Sequence, residues 1–283
     1  MSYLEIAQIV PAVRKPKPFL KWVGGKTQLI PEIVKAFPTE VNAYFEPFVG
    51  GGAMFWHLAA QKFFKEAHIN DWNTELITCY RVIRDNPKAL MDALDKMSYD
   101  KTLFLAQRAL IPKNLDDVTR AARMIYLNKC GFNGLYRVNK SGQFNVPFGS
   151  FKTPPTLYSR QTILDCSHAL QDTWINNGDF ENKLEVAKKG DLVYFDPPYV
   201  PLNITSNFAS YTEKGFGLEA QKRLANVVHE LADREVKVVL SNSDTPLVRE
   251  LYQAYEIREI MARRNINSNG EGRGAIKELL VVT

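Results

Sequence analysis

Short apolar runs recur along the chain at Tyr44–Phe48, Ala67–Ile69, Leu192–Phe195, Val236–Leu240 and Leu279–Val282. Runs this short and this apolar read as strands of a sheet covered on both faces. Helical patterns lie between several of them. Leu224, Val227, Val228 and Leu231 fall at i, i+3, i+4 and i+7, the stripe of an amphipathic helix. Strands alternating with helices predict an α/β fold with a mostly parallel sheet. The end of the chain differs. Ile257–Ile266 and Ile276–Val282 flank the connection Asn267-Ser-Asn-Gly-Glu-Gly-Arg-Gly274. That pattern predicts a long hairpin, so the sheet closes with an antiparallel strand.

The middle breaks the rhythm. From Thr74 to Pro155 no buried parallel strand is predicted. Asp117 is placed to cap a helix whose apolar face is Val118, Ala121, Ala122 and Ile125, with Gly131 ending it after Lys129. Leu135–Val138 and Gln143–Val146 then read as short strands joined by Asn139-Lys-Ser-Gly142. The expected organisation is an α/β domain from 1–73 and 156–283, interrupted by a helical subdomain with a β-hairpin at 74–155.

Composition narrows the class. With 283 residues, 45% hydrophobic and 24% charged, the chain is not a disordered or low-complexity protein. No apolar run approaches the ~20 residues that cross a bilayer. The opening MSYLEIAQIVPAVRKPKP carries Glu5 and lacks a continuous apolar stretch, so a cytoplasmic protein without a membrane partner is expected. Three cysteines form no CxxC and four histidines are scattered, which points to no disulfide framework and no metal. The net charge is +5, and its placement matters more than its size. Arg14, Lys15, Lys17, Lys21 and Lys26 crowd one segment. Arg120, Arg123, Lys129, Arg137, Lys140 and Lys152 form a second group, and Arg258, Arg263, Arg264, Arg273 and Lys277 a third. Solvated helix faces account for any one group, but three groups beside motif-like segments favour a nucleic-acid partner.

Candidate chemistry sits in two motifs. FEPFVGGGAMF, Phe45 to Phe55, puts three glycines between an apolar strand and a helix. The dinucleotide pattern GxGxxG fails at Phe55, and what fits is FxGxG at Phe48, Gly50 and Gly52, the looser form of S-adenosylmethionine sites. Asp71 lies about 20 residues on, where an acidic side chain grips a ribose diol. WVGGKTQ is not a Walker A loop, because Leu20 stands where its first glycine belongs.

The stronger motif is Asp196-Pro197-Pro198-Tyr199, directly after LVYF. The exocyclic amine of a base is a poor nucleophile, since its lone pair is conjugated into the ring. Hydrogen bonds from the NH2 to the Asp196 carboxylate and the Pro197 carbonyl would draw the nitrogen towards a tetrahedral geometry. Pro197 and Pro198 stiffen the backbone and remove competing donors. Tyr199 would stack on a base swung out of the duplex. Transfer is then a direct displacement, with Asp196, Pro197, Pro198 and Tyr199 as the catalytic residues. A cytosine C5 enzyme needs a cysteine after proline, and none of the three cysteines has one. Adenine N6 is the first expectation and cytosine N4 the second.

FLKWVGGK, YFEPFVGGG, IND, NGLYRVN with GQFNVPFG, DPPY and LSNSD follow in order from Phe19. Together they resemble the Dam family, the D12 class of bacterial and phage DNA adenine-N6 methyltransferases. The resemblance implies S-adenosyl-L-methionine as donor, a Rossmann-like sheet and an inserted target-recognition domain. It implies cofactor contacts at Trp22, Lys26, Asp71 and Asp196, and GATC as the usual target in double-stranded DNA. It puts Lys21 and Arg137 at guanines, Leu135 and Pro147 at the thymine methyl, and Asn133 with Phe132 wedged into the duplex. Arginine and lysine suit guanine O6 and N7, and apolar groups suit the thymine methyl. Phe132 stands where some relatives carry tyrosine, and Ser-Phe-Lys follows Gly149 where an arginine is frequent. The alternatives are amino methylation of cytosine N4 or RNA by the same fold, and a catalytically silent DNA-binding regulator. A monomer is expected, with a cognate restriction endonuclease as a partner on the same site.

Overall fold

The computed structural model describes residues 15–202, 216–263 and 275–283. Arg14, Arg264, Arg273, Ile266 and the Asn267–Gly274 connection lie outside them. The chain forms two compact units. One comprises Met1–Gly25, Gly50–Lys62 and Asn73–Asn177, and the other Lys26–Val49, Phe63–Trp72 and Gly178–Thr283.

Seven strands make one mixed sheet: β1 (Ala43–Glu46), β2 (Glu66–Asp71), β3 (Thr173–Asn177), β4 (Leu192–Phe195), β5 (Lys237–Ser243), β6 (Glu256–Arg263) and β7 (Ala275–Val282). Their order is β3-β2-β1-β4-β5-β7-β6. The ladders β1–β2, β1–β4 and β4–β5 are parallel, while β5–β7 and β6–β7 are antiparallel. The α/β class and the antiparallel close are as expected. β3 was not anticipated, because TWINN is short and ends in two asparagines.

In the second unit, all four residues of β4 are buried. Phe45, Val193, Phe195, Val238, Leu240, Leu279 and Val281 pack in one core with Leu224, Val228 and Leu231 of the helix Leu218–Asp233. Burying each such side chain contributes roughly 1.5–3 kcal/mol. Asp191 sets β4 beside β1: its carboxylate accepts from the Ala43 N–H at 3.1 Å and from the Lys188 N–H at 2.9 Å.

The first unit is mainly helical. Its helices run Ala53–Ala60, Thr74–Asp85, Pro87–Leu94, Lys101–Ala109, Asp117–Cys130 and Arg160–Ala169. Asn73, Asp100 and Ser159 cap three of them through side-chain oxygens that accept N–H groups of the first turn. The helix Asp117–Cys130 is capped by Asp116 and not by Asp117. Asp116 is extended and accepts from the Thr119 N–H at 3.0 Å, whereas Asp117 lies inside the first turn and pairs with Arg120. This helix is also buried all round from Ala121 to Asn128, beyond the single apolar face expected. The helix ends as the backbone turns extended at Gly131, where a Cβ would sit 2.6 Å from the Leu127 carbonyl oxygen.

The hairpin expected from Leu135–Val138 and Gln143–Val146 is present in short form, as one antiparallel bridge rather than two full strands. Val138 and Phe144 form an isolated bridge, and Asn139 accepts from the Ser141 and Gln143 N–H groups. Two backbone bonds flank the bridge, from the Asn139 N–H to the Gln143 carbonyl at 2.8 Å and from the Asn145 N–H to the Arg137 carbonyl at 3.0 Å, and the Asn139 side chain closes the turn beyond them. Cys79, Cys130 and Cys166 are free and buried. Burial pushes the Cys130 thiol up to about 11 and that of Cys166 to about 12. Among the described residues, no helix is long and apolar enough to cross a membrane.

Candidate active site

Parallel strands present their carboxyl ends to ligands where neighbouring connections run opposite ways. In the second unit those ends carry Phe48 after β1, Asp71 on β2, Asp196 after β4 and Asn242 on β5. Asp196 emerges from the buried LVYF strand and meets Lys26, whose Nζ lies 3.3 Å from Oδ1. Lys26 is held by its own loop, its carbonyl accepting from the Leu29 N–H at 2.7 Å. The side chains are only 12% and 21% exposed, so solvent screens this pair weakly. Burial pushes the Asp196 carboxyl up to about 6 against the pull of the Lys26 ammonium, with Glu278 adding to the rise. At neutral pH Asp196 is therefore a desolvated carboxylate, a strong hydrogen-bond acceptor.

Tyr199 completes the cluster. The Lys26 ammonium stands 4.2 Å from its ring centroid, and its hydroxyl donates to Glu278 at 2.8 Å. Burial, with Asp196 and Glu278 nearby, pushes the phenol well above its ordinary range. The turn itself is clamped from below. The Gln221 amide donates to the Pro198 carbonyl at 3.0 Å, and the buried Asn242 accepts from the Val200 N–H at 3.2 Å. Asn242 also donates to Gln221 at 3.2 Å, and the Ser243 hydroxyl donates to the Val200 carbonyl at 2.6 Å. Pro197 contributes no N–H, so these bonds and the two rings fix the backbone beside Asp196.

Phe48 stacks on Phe180 and meets Phe195 and Phe216 edge-on, which places it in an aromatic cluster of the second unit. Asp71 is half-exposed at the end of β2, and its carbonyl accepts from the Gly178 N–H.

In the first unit, Trp22 stacks on Tyr136 with centroids 5.4 Å apart. The glycine run is shaped by its aromatic neighbours. A Cβ at Gly50 would lie 2.9 Å from Trp22, and one at Gly52 would lie 2.5 Å from the Tyr80 hydroxyl. The Tyr80 hydroxyl donates to the Gly50 carbonyl and the Trp56 indole to that of Gly51.

The same unit gathers the residues expected at DNA. The buried Asn128 accepts from the Lys21 N–H and donates to the carbonyls of Lys21 and Gly134, at 3.0, 2.9 and 2.8 Å. This lays Lys21 along the Phe132–Gly134 turn. Asn133 and Gly134 are both left-handed, at φ 56° and 66°, and they leave Phe132 half-exposed. Pro147 joins the turn by accepting the Phe132 N–H at 2.9 Å. Leu135 is half-buried, with one side against the local core. Arg137 is exposed, and its guanidinium donates to the Asn145 side chain at 2.7 Å and backbone carbonyl at 3.2 Å.

The family profile described as D12 class N6 adenine-specific DNA methyltransferase matches residues 22–266. The chain belongs to this family. Among curated proteins, the D12-class chain is 44% identical over 273 residues to the Type II methyltransferase M1.LlaDCHI of Lactococcus lactis subsp. cremoris, covering 94% of each. It is 40% identical to the Type II methyltransferase M.MjaIII of Methanocaldococcus jannaschii, over 94% of this chain and 98% of that one. The DNA adenine methylase of Escherichia coli K12 is 33% identical, over 95% and 96% respectively.

Sequence reading missed three residues around Asp196 in the second unit and one in the first unit of this D12-class chain. Glu278 lies within a C-terminal apolar strand and gave no chemical signal. Asn242 falls in the quoted LSNSD segment, yet no role was read for it. Gln221 and Asn128 sit on helices where a polar residue reads as solvated. The single available signal was Asn128, a polar position inside the run Ala121–Leu127 and Cys130.

Proposed function

We propose that this chain transfers a methyl group from S-adenosyl-L-methionine to N6 of adenine in duplex DNA, at GATC, by base flipping and direct displacement. The observation that carries the reading is Asp196: a desolvated carboxylate paired with Lys26, at the mouth of a parallel strand, beside a clamped Pro-Pro turn and Tyr199. Two carboxylates around one ammonium leave a negative balance that fits a cationic donor, and Asp71 offers an acceptor for ribose hydroxyls. The donor supplies an electrophilic methyl group.

The protein's own residues do the rest. Asp196 and the Pro197 carbonyl accept the two amino hydrogens and localise the nitrogen lone pair. Tyr199 stacks on the extruded base. The nitrogen forms its bond to the methyl carbon as the carbon–sulfur bond breaks, and Asp196 can accept the proton the amine then sheds. Lys26, Asp71 and Asp196 are the polar cofactor contacts in this reading. Trp22 joins them on the family resemblance, and Phe48, Gly50 and Gly52 join them on the FxGxG motif.

Residues 74–155 serve as the target-recognition domain. Lys21 and Arg137 read guanines, Leu135 and Pro147 meet the thymine methyl, and Phe132 with Asn133 wedge into the duplex. Support comes from their exposure or half-exposure on backbone held by Asn128, Pro147 and Asn145. The Type II relatives support pairing with a restriction endonuclease of the same site. The test incubates purified protein with unmethylated plasmid and S-adenosylmethionine. Digestion follows with one nuclease that cuts only methylated GATC and one that this methylation blocks. New cutting by the first and protection from the second are expected. Labelled methyl groups entering DNA without either change would discard GATC, and no incorporation would discard the activity.

A further inference from the structure

We propose that Glu278 is a positioning residue for methyl transfer: it fixes the Tyr199 ring through the phenol hydroxyl and shares the Lys26 ammonium with Asp196. The inference rests on the reading of Asp196 and Tyr199 given above. Glu278 lies on β7, opposite Ser243 of β5 and Ile260 of β6. Its side chain is 15% exposed, and Oε2 accepts the Tyr199 hydroxyl at 2.8 Å while standing 3.9 Å from Lys26 Nζ. The same ammonium is 3.3 Å from Asp196 and 4.2 Å from the Tyr199 ring centroid. One cation thus has two carboxylates and one aromatic face to satisfy.

This arrangement solves two problems. A stacking ring on a turn can rotate about its χ angles, and a hydroxyl tied to a carboxylate on a neighbouring strand stops that rotation. A charge-assisted bond of this kind is about twice as strong as a neutral one. The second problem is the ion pair. A lone Lys26 would collapse onto Asp196 and occupy the oxygen that must accept the amino hydrogen. Glu278 gives the ammonium a second carboxylate at 3.9 Å, and its negative charge leaves Asp196 more basic. The titratable groups that act on Asp196 are Lys26, Glu278, Tyr199, Tyr194 and Tyr44, with Glu46 behind the two buried tyrosines. Of these, Glu278 adds negative charge and also holds the stacking ring.

The test compares wild type, Glu278→Ala and Glu278→Gln on a GATC duplex with S-adenosylmethionine, by single-turnover methyl transfer across pH 5–8. Glutamine keeps an acceptor for the phenol but loses the charge. Glu278→Ala should lower the rate constant about 100-fold, the cost of misplacing a reacting group by an ångström. Glu278→Gln should recover it to within about 10-fold of wild type, the difference between a charged and a neutral acceptor. Its acid limb should move to lower pH, because Asp196 loses a repelling neighbour. In Tyr199→Phe, the rescue by glutamine should vanish.

Wild-type rates from both variants, or equal losses with an unmoved acid limb, would overturn the proposal. So would rescue by glutamine that persists in Tyr199→Phe. Should wild type itself transfer nothing to DNA, the functional reading fails first, and that result is distinct from either variant outcome. Circular dichroism of each variant separates a misfolded protein from a misaligned one. If alanine unfolds the chain, the glutamine variant alone decides: its pH shift supports the role and an unmoved limb refutes it.

Discussion

The turn after β4 and the turn after the helix Asp117–Cys130 both present side chains from a buried element, and they are built in opposite ways. At Asp196-Pro-Pro-Tyr199 the side chains that matter are desolvated. The backbone is stiffened by proline and by bonds from Gln221, Asn242 and Ser243. At Phe132–Gly149 the side chains that matter face water. Their backbone is set by left-handed Asn133 and Gly134 and by the buried amide of Asn128. Chemistry on an amine needs a carboxylate whose basicity is raised by leaving water. Reading a groove needs exposed groups that water already satisfies, placed at little entropic cost on a rigid frame. The same chain thus spends burial on side chains in one place and on backbone in the other.

Substitutions should separate the two regions. Asp196→Ala should reduce methyl transfer about 1000-fold or more while DNA affinity stays within a few-fold, as rate and gel-shift assays would show. A parallel loss of affinity would merge the regions and defeat the comparison. Asn128→Leu strands the Lys21 and Gly134 backbone groups without partners and should cost about 3 kcal/mol in urea unfolding. The residual activity of that variant should keep the wild-type pH profile.

Arg137→Ala should lose about 1–3 kcal/mol of discrimination at one guanine, measured by competition among single-base variants of GATC. A uniform loss over all sequences would make Arg137 a phosphate contact. The smallest effect is pH. In the proposed mechanism Asp196 acts as the carboxylate, so protonation below about 6 removes the acceptor. The single-turnover rate should fall about tenfold per pH unit below that point, with DNA binding unaffected over the same range.

Much of the first region was legible in the sequence. LVYF reads as a buried strand and ends where the structure ends it, and Asp196 directly after it stands in a buried ion pair with Lys26. Glu278 was not legible. It lies 79 residues from Tyr199 and 252 from Lys26, and no spacing rule links residues joined only by strand order. The glycine run reads in the sequence as a place where the backbone approaches a ligand. The bodies that approach include Trp22, Trp56 and Tyr80, which the motif does not name. In the second region the hairpin was legible, but its pairing is limited to one bridge. Backbone pairing stops at the Arg137–Asn145 and Asn139–Gln143 bonds, and the Asn139 side chain takes the Gln143 N–H at the turn. The cap at Asp116 shows the same limit, since neighbouring aspartates differ only in backbone angle.

The buried cysteines carry a practical consequence. Alkylation and disulfide exchange run through the thiolate, and burial keeps all three side chains protonated and out of reach. The folded chain should therefore withstand air and maleimide without a reductant. A single cysteine introduced at the exposed Ser141, on the tip of the Asn139–Gln143 turn, then becomes a unique attachment point. A dye placed there would turn the proposed engagement of this stretch with DNA into an optical signal.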